Sequence, residues 1–591
     1  MPRYRVYMLQ PLPARFRMKP VILVQRKAHV AFCAFLLVLS GFSVVSAAPS
    51  SDLKPIAAFD TNRVTKLELT IPEPHWNKLR YQHREAEFFP EEGKAAPDDP
   101  YTWFPAEATI DGTNVGPVEI RKKGYIGSND IRRPALKLRL SPQSENKTAA
   151  EPNDKNTGPL DLTLNNNRQD PSLIRQFLSY EIFRRAGVPA PRCSFVSLQV
   201  NGKPLGIYSC VEPINEVFLK DHFGRSDGNL YEGGRSDFRS NWVQNFVIKN
   251  NRKENDRSDL LRAATALEQS KNSALPALNT HFDAEEFFRF WATESLVNQT
   301  DGYAANMNNF YLYHNPSIGK FMFIPWGADS TFYSGRPINS VRGDPRSVIG
   351  TGILANRLYH SEEGAAKYRA TLKAILKSAW NEELLLREVS RLETLLAPSL
   401  GSQVAQFRGN VEEVRRFIKS RRAEFGPELE GPIPALKSKP LELARRRNVG
   451  HFTGRFSTTL NADISRGAAN SAELSGTLWD QQLTFRDLAL QTYVPPDANA
   501  DSDDRVVIVV SGSAQPGNKQ YVVYLQVDPE SYATGKPIPI DHTHVIGWFH
   551  SQERMIGMLR GSLLLNKAGK TSGGEIAGEF TIDIFSKLPK P

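Results

Sequence analysis

A polar loop between two aromatic, strand-like runs carries the residue types that phosphate chemistry requires. In NQTDGYAANMNNFYLY the loop holds Asp301, Asn306 and Asn309, and the later corner IPWGAD adds Asp329. Phosphoryl transfer needs a carboxylate to orient the accepting hydroxyl, oxygen ligands for Mg²⁺ and a lysine to balance phosphate charge. The same residue types are common in ordinary turns. The spacing by itself therefore leaves both interpretations open.

Longer motifs surround this loop and follow one another in a specific order. They are LDLTLNNNRQDPSLIRQFLSYEIFRRAGVPAPR, GNLYEGG, DGYAANMNNFYLY and FIPWGADSTF. In this order they resemble the CotH family of secreted atypical protein kinases, named for a spore-coat protein, from about Phe59 to Gly426. The resemblance implies a divergent two-lobed kinase fold that binds ATP with Mg²⁺ or Mn²⁺ and phosphorylates Ser or Thr on exported proteins.

The resemblance also assigns roles within the polar loop. Asp301 matches the catalytic aspartate of the family's DGY motif. Asn309, just before the FYLY strand, matches the asparagine that helps to hold the metal. Asn306 has the simpler spacing from Asp301, so both asparagines are candidate metal ligands.

Two further segments match the family's nucleotide-binding parts. Lys137 in PALKLRL matches the strand lysine that reaches the nucleotide phosphates. Gly124, Gly127 and Ser128 belong to a segment that resembles the loop covering those phosphates through backbone N–H groups. The alternative for Lys137 is a solvated strand lysine.

A carboxylate partner for Lys137 can be sought on the helix that follows Asp170. Glu181 shares a helix face with Ile174 and Phe177 at i, i+3 and i+7 spacing. A carboxylate on an apolar face is costly unless it is paired. Glu181 is therefore the candidate ion-pair partner, as in kinases generally, with Glu212 as the rival; each has a structural role as its alternative.

The second motif departs from the family pattern at one position. The family usually shows PWD.D, in which the first aspartate binds metal, whereas this chain has Gly327 there and keeps only Asp329. Either Asp329 takes over metal binding, or the domain is a pseudokinase that binds nucleotide poorly. We favour Asp329 as the ligand.

The net charge of +10 is concentrated near the N-terminus. Residues 1–47 contain seven Lys or Arg and no acidic residue, which leaves 67 basic against 64 acidic residues in the rest of the chain. A body this close to neutral argues against a nucleic-acid partner. The apolar run Val30–Val45, which ends at small residues, predicts a cleaved signal peptide and no retained membrane span. The protein is expected to be secreted, periplasmic or at the cell surface.

Only Cys193 and Cys210 lie outside this segment, on two predicted strands joined by Asn201-Gly202. Asn-Gly is the strongest short hairpin signal. If those two residues form the turn, the cysteines face each other at a non-hydrogen-bonded pair, where side chains approach closely. A cross-strand disulfide and two buried thiols both fit this arrangement.

The remaining elements predict an α+β architecture. One helix is capped by Asp170, with Pro171 in its first turn, and a second covers residues 283–298. Within residues 48–426, most predicted strands come first and most predicted helices follow, which predicts one strand-rich lobe and one helical lobe. A Pro-rich linker, 427–447, precedes an antiparallel β domain at 448–591.

The sequence thus predicts an exported protein kinase that acts on an exported protein substrate. The first alternative is a catalytically impaired pseudokinase that serves as a scaffold at the surface or envelope. The second is an adhesive or carbohydrate-binding surface protein led by the β domain, which would attach the protein to the cell surface. The acceptor protein and the oligomeric state are not determined by the sequence.

Overall fold

The structure, a computed structural model, describes most of the chain after the predicted signal peptide. The described residues are 59–82, 101–124, 128–140, 161–270, 273–442, 446–461, 471–494, 505–529, 531–541, 544–552 and 554–587. The predicted signal peptide at 1–47 and the loop residue Gly127 lie outside these ranges.

Seven strands of the described residues close into a barrel that forms the N-terminal lobe. Neighbouring strands pair in the order β1-β2-β3-β4-β5-β7-β6, and a parallel pairing of β1 with β6 closes the ring. Alternating apolar side chains fill its interior, as a half-buried strand pattern predicts. The elements are β1 (Val64–Thr70), α1 (Glu73–Tyr81), β2 (Phe104–Ile110), β3 (Thr113–Lys122), β4 (Leu136–Arg139), β5 (Asp161–Asn165), β6 (Cys193–Val200) and β7 (Lys203–Val211).

The β6–β7 hairpin forms at the predicted turn, but its two cysteines remain free and buried. A β-bulge between Leu198 and Gln199 shifts the register by one residue. Cys193 therefore faces Val211, and Cys210 faces Ser194. Because successive side chains point to opposite faces, this single slip places the two thiols in different cores. The disulfide alternative is wrong.

The helix after Asp170, α2 (Arg175–Arg185), begins later than the sequence suggested. Leu173 adopts a left-handed conformation (φ 63°), which separates the turn at Pro171 from the helix. The N-cap is Ile174 and not the predicted Asp170, although the Asp170 carboxylate accepts the Arg175 backbone N–H at 2.8 Å and so satisfies one donor of the first turn. The helix ends before Gly187 (φ 77°), whose left-handed conformation glycine adopts without strain.

Helices dominate the second lobe, around one small sheet. That sheet has the strand order β11-β10-β8-β9. Asp283 caps α6 by accepting the Glu286 N–H at 3.0 Å. The elements are α3 (Glu216–Phe223), β8 (Leu230–Gly233), β9 (Phe246–Ile248), α4 (Ser258–Gln269), α5 (Leu275–His281), α6 (Ala284–Val297), α7 (Tyr303–Asn306), β10 (Phe310–Asn315), β11 (Lys320–Pro325), α8 (Ile353–Tyr359), α9 (Glu362–Ser378), α10 (Glu382–Leu396) and α11 (Val404–Glu430), with 3-10 turns at Ser240–Asn245, Ala397–Ser399 and Gly401–Gln403.

The segment after α11 lies along the helical lobe. Leu436 is buried in the core of that lobe. The backbone N–H of Ser438 donates to Asp344 Oδ1 at 3.0 Å, and that of Leu441 donates to the Thr351 carbonyl at 2.7 Å. These contacts fix the path of the chain into the C-terminal domain.

The C-terminal domain is a second closed barrel, of nine described strands with its own apolar core. Almost all of its pairings are antiparallel, so the predicted α+β class with a C-terminal antiparallel β domain is confirmed. Of the helices in the described ranges, none has both the length and the apolar character to cross a bilayer. The strands are β12 (Arg447–Thr459), β13 (Ser471–Leu478), β14 (Gln481–Tyr493), β15 (Val506–Gln515), β16 (Lys519–Val527), β17 (Pro537–Ile540), β18 (Val545–Ser551), β19 (Met555–Ala568) and β20 (Glu575–Ser586).

Candidate nucleotide and metal site

The polar loop is held rigidly between α6 and α7. Glu294, fully buried on α6, accepts the backbone N–H groups of Tyr303 and Ala304, each at 2.8 Å. Burial raises the pKa of Glu294 to about 8. A Cβ on Gly302 would lie 2.1 Å from Glu294 Oε1, so only glycine fits the DGY motif here. The helix thus fixes the backbone that carries Asp301.

Three carboxamides surround the Asp301 carboxylate. Asn306 Nδ2 donates to Asp301 Oδ1, while Asn308 Nδ2 and Asn309 Nδ2 donate to Oδ2 at 3.2 and 2.8 Å. Burial raises the pKa of Asp301, and these hydrogen bonds together with Arg235 oppose that shift. The carboxylate is therefore oriented and partly desolvated, which suits a group that positions a hydroxyl.

The β10–β11 hairpin brings the second motif to the first. Phe310 pairs with Pro325, so the residues just outside the hairpin, Asn309 and Trp326, are neighbours. The Trp326 backbone N–H donates to the Asn309 carbonyl at 3.1 Å. Asp329 follows within the same turn. The hairpin thus brings the two motifs together in space although they are separated in the sequence.

Asp329 lies buried beside Asn165 at the end of β5. Asn165 Nδ2 donates to Asp329 Oδ2 at 3.1 Å. Burial raises the pKa of Asp329 to about 6, and the charges of Asp170 and Asp301 add to the shift, whereas Asn165 and Lys123 oppose it. Asn309, which donates to Asp301, also accepts the backbone N–H of Trp326 in the second motif, so the two aspartates belong to neighbouring parts of one candidate site.

The oxygen atoms at this site suit a hard divalent cation. Oδ1 of Asp329 accepts no hydrogen bond from any residue that the structure describes, and Asn309 adds a carboxamide oxygen. Within the described ranges, no group of three or more His, Cys, Asp or Glu is arranged to hold a metal. Mg²⁺ needs no such group, because it commonly takes one or two carboxylates together with phosphate oxygens and water. The donor set therefore fits Mg²⁺ or Mn²⁺ bound with a nucleotide.

Gly327 replaces the family's first aspartate, and the structure shows what occupies that space. Gly327 is left-handed (φ 50°), and a Cβ there would lie 2.5 Å from Asn309 Oδ1. No side chain fits unless Asn309 moves. The Asn309 carboxamide thus occupies the space that the side chain of an aspartate at position 327 would need.

We expect Gly327→Ala to destabilise the protein more than Gly401→Ala does. Both glycines have φ 50°, but a Cβ on Gly401 would meet nothing within 4 Å. Both variants pay for the left-handed backbone, about 1 kcal/mol, and only Gly327→Ala adds the clash with Asn309, for a further ~1 kcal/mol or more. Thermal unfolding measures the difference; equal losses in the two variants would contradict the close packing of Asn309.

Several cationic side chains converge on the other side of the site. Lys137 on β4 is paired with Arg121 on the neighbouring strand β3. Like charges at directly opposite positions of two strands are destabilising. Burial lowers the pKa of Lys137 to about 7, Lys249 and Arg121 lower it further, and Glu232 opposes the shift. Glu232 already pairs with Lys249 at 2.7 Å. This excess of half-buried positive charge is suited to an anion such as a triphosphate.

Lys123, which the sequence reading missed, links the cations to the aspartates. Burial lowers its pKa, against the attraction of Asp329 and Glu232. Its Nζ lies 5.9 Å from the centroid of the Trp326 ring. The charges of both Asp329 and Glu232 act on Lys123, whereas only Glu232 among the acids acts appreciably on Lys137. The KKG sequence before Gly124 was the signal that could have indicated it.

Neither predicted carboxylate partner reaches Lys137. Glu181 pairs with Arg184 and Arg185 of its own helix, and Glu212 binds Arg192 with Oε1 2.6 Å from Nη2. The i+7 spacing wrongly predicted that Glu181 lies on the one buried face of α2. Nearly every residue of the first two turns is buried, so the apolar residues do not define a single buried face. Glu232, in the NLYEGG motif, is instead the acid whose charge favours the protonated form of Lys137.

The predicted phosphate loop closes tightly at its two described ends. Gly124 has φ 107°, and a Cβ there would lie 2.2 Å from Ser128 Oγ, so the turn requires glycine. Tyr101 Oη donates to the Gly124 carbonyl at 2.8 Å, and Asn166 Nδ2 donates to the Ser128 carbonyl at 3.0 Å. Gly127 lies outside the described residues. The loop's phosphate-binding role remains a prediction.

Comparison with known proteins identifies the family. Residues 120–425, slightly more than half of the chain, match the family model described as CotH kinase protein. The inner spore coat protein H of Bacillus subtilis is 24% identical over 290 residues, which are 45% of this chain and 77% of that protein. Invasin CotH2 of Rhizopus delemar is 25% identical over 256 residues, covering 39% of this chain and less than half, 43%, of the invasin. The resemblance drawn from the motifs is confirmed.

Among solved structures, the chain is similar to the proinflammatory kinase CtkA of Helicobacter pylori. The two are 11% identical with a TM-score of 0.26, over 51% of this chain and 91% of the other.

Proposed function

Because the chain belongs to the CotH kinase protein family, we propose that it is an ATP-dependent protein kinase that phosphorylates Ser or Thr on other proteins. The observation that carries the proposal is the shared site of Asp301 and Asp329. The half-buried carboxylate of Asp301 is held by three carboxamides, the charge of Asp301 acts on the buried Asp329, and half-buried cations act on the same part of the molecule. These are the groups that phosphoryl transfer requires.

Asp301 is the residue that acts on the acceptor. Its carboxylate orients the accepting Ser or Thr hydroxyl and takes up its proton as the oxygen attacks. The raised pKa of the partly desolvated Asp301 carboxylate favours that proton transfer. The three asparagine donors restrict its rotation. Positioning of this kind is the main contribution a protein makes to phosphoryl transfer.

Asp329 and Asn309 would hold the divalent cation, and Lys123 and Lys137 would contact the phosphates. Bound Mg²⁺-ATP supplies the γ-phosphoryl group, with the cation neutralising charge on the phosphate oxygens. Lys123 suits the role because it lies near both Asp329 and Glu232. Glu232 then orients the lysines, the part that the sequence assigned to Glu181.

One observation favours the alternative of an impaired pseudokinase. At Gly327 the carboxylate that the family usually supplies is absent, and Asn309 occupies the adjoining space. A carboxamide is a weaker ligand for a hard cation than a carboxylate. In this alternative the protein is a scaffold, and the nucleotide site is vestigial.

The location and acceptors of the protein are part of the proposal. Two relatives are named for a spore coat and for invasion, which supports a secreted, periplasmic or cell-surface protein that acts on exported partners. The predicted signal peptide is in accord with this location. The C-terminal barrel would supply any attachment to the cell surface.

Purified protein lacking residues 1–47, incubated with γ-labelled ATP, Mn²⁺ or Mg²⁺ and a generic protein acceptor, tests the proposal. The kinase reading predicts cation-dependent incorporation of label and a thermal shift with nucleotide. Label on Ser or Thr would establish the residue class. Absence of incorporation together with absence of a nucleotide shift would support the scaffold.

A further inference from the structure

A buried polar face of α2 lies against the segment that carries Asp329. Gln176, Ser179 and Tyr180 are spaced i, i+3 and i+4, so they project from the same side of the helix. Each of the three is at most 3% exposed. Buried polar groups need hydrogen-bond partners, and the partners of this face connect α2 to Asp329 and to its neighbour Thr331.

Asn165, at the end of β5, joins Gln176 to Asp329. Its Nδ2 donates to Gln176 Oε1 at 3.0 Å and to Asp329 Oδ2 at 3.1 Å, and its Oδ1 accepts the Asn167 backbone N–H at 3.2 Å. A carboxamide nitrogen carries two hydrogens, so both are used. In the reversed orientation, the Asn165 oxygen would face an ionised carboxylate, which can only accept. The contacts therefore select one orientation of the Asn165 amide.

Gln176 is in turn oriented by its own helix. Its Nε2 donates to Tyr180 Oη, one turn along α2, at 3.2 Å, which leaves Oε1 to accept from Asn165. Asn165, Gln176 and Asp329 are 5%, 3% and 6% exposed, so bulk water cannot readily replace a lost partner. We call Gln176 and Asn165 the carboxamide relay, because they connect the helix to the Asp329 carboxylate.

A second contact joins the same two elements without touching Asp329. Ser179 Oγ and Thr331 Oγ1 are hydrogen-bonded at 2.9 Å, and Thr331 Oγ1 donates to the Ala328 carbonyl at 3.1 Å. Ser179 is fully buried, as is Thr331. Ser179 thus anchors the segment to α2, whereas the carboxamide relay reaches the carboxylate itself. This difference allows anchoring and orientation to be tested separately.

We propose that Gln176 and Asn165 are positioning residues for the divalent cation, because together they fix the rotation of the Asp329 carboxylate. The inference rests on the proposed function, in which Asp329 is a metal ligand. The relay engages Oδ2, which leaves Oδ1 for the cation. Orientation matters more here than in a corner with two acids, because Gly327 supplies no second carboxylate. The helix α2 then serves the site through Gln176 and not through the predicted Glu181.

Binding of a fluorescent, non-hydrolysable ATP analogue to the full chain tests the proposal without requiring catalysis. The ratio of its dissociation constants in chelator and in saturating Mn²⁺ measures the contribution of the cation. Gln176→Met keeps a long, buried side chain without the hydrogen bonds, and should lower this ratio ~10-fold while binding in chelator is unchanged. Asn165→Leu removes the contact to Asp329 itself and should lower the ratio at least as much.

Ser179→Ala is the matched control, because it removes the other buried contact of the same helix face. It should lower the melting temperature and leave the ratio unchanged. Thermal unfolding checks that each variant is folded, and either relay variant suffices for the test.

The outcomes separate this inference from the proposed function. An unchanged or higher ratio in the relay variants would overturn the inference, and so would an equal fall in Ser179→Ala, which would show that α2 has only a structural role. Equal losses of affinity in chelator and in Mn²⁺ would also overturn it. An unaltered protein that binds the analogue equally with and without Mn²⁺, or not at all, would refute the proposed function and the inference with it.

Discussion

Replacing Asp301 with asparagine is expected to abolish transfer of label from ATP, lowering the rate by ~1,000-fold, while nucleotide still binds. The amide keeps the shape of the side chain but cannot take up the acceptor's proton. Asn306, Asn308 and Asn309 now meet one amide group in place of an oxygen, and carboxamides can rotate to match it. The fold should therefore tolerate the change.

Rates measured with saturating ATP and acceptor, and nucleotide-dependent thermal shifts, separate the two effects. Asp221→Asn, an exposed aspartate on α3, provides the control and should keep full activity. A rate within tenfold of the unaltered protein would remove Asp301 from the catalytic role. A loss of nucleotide binding equal to the loss of rate would assign it to binding instead.

Asp329→Asn is expected to stabilise the cation-free protein and at the same time to abolish its response to Mn²⁺ or Mg²⁺. Burial and the charges of Asp170 and Asp301 raise the pKa of Asp329 from 3.8 to about 6. The folded protein thus holds this proton more tightly than the unfolded chain, so stability falls as pH rises from 3.8 through about 6. Asparagine carries no charge and avoids that loss, which amounts to about 3 kcal/mol above the folded pKa.

Thermal unfolding in chelator across pH 4 to 8 measures this prediction. The advantage of Asp329→Asn should be near zero at the acid end and largest at pH 8, because only there is the native carboxylate ionised. Adding cation with nucleotide should raise the stability of the unaltered protein and leave the variant unchanged. An Asp329→Asn protein that is less stable at pH 8, or that still responds to cation, would exclude Asp329 as ligand. In that case the IPWGAD segment would supply no carboxylate for the metal, because Gly327 stands where the family usually has its metal-binding aspartate.

Much of the architecture was determined locally and could be predicted from the sequence. Asp283 caps a helix, Gly187 follows the end of another, and Asn201-Gly202 makes a hairpin. Such signals act between residues a few positions apart, so they need no knowledge of the fold. The ordered motifs likewise sufficed to indicate the family and to select Asp301 and Asp329.

Partnerships across the fold could not be predicted in this way. One bulge after Leu198 separated the cysteines, and a helix buried on most sides gave Glu181 an arginine partner in place of Lys137. The placement of Lys123 and Glu232 depends on how a barrel strand meets a sheet of the other lobe.

The sequence by itself determined most of the elements and the family, and it supplied Asp301 and Asp329 as the candidate site residues. Only the tertiary structure decided that Glu181 pairs with arginines of its own helix and that Asn309 fills the space beside Gly327. Periodicity and capping specify a residue's position on its own element. The identity of its neighbour depends on register, burial and packing summed over the whole chain, which no local pattern contains.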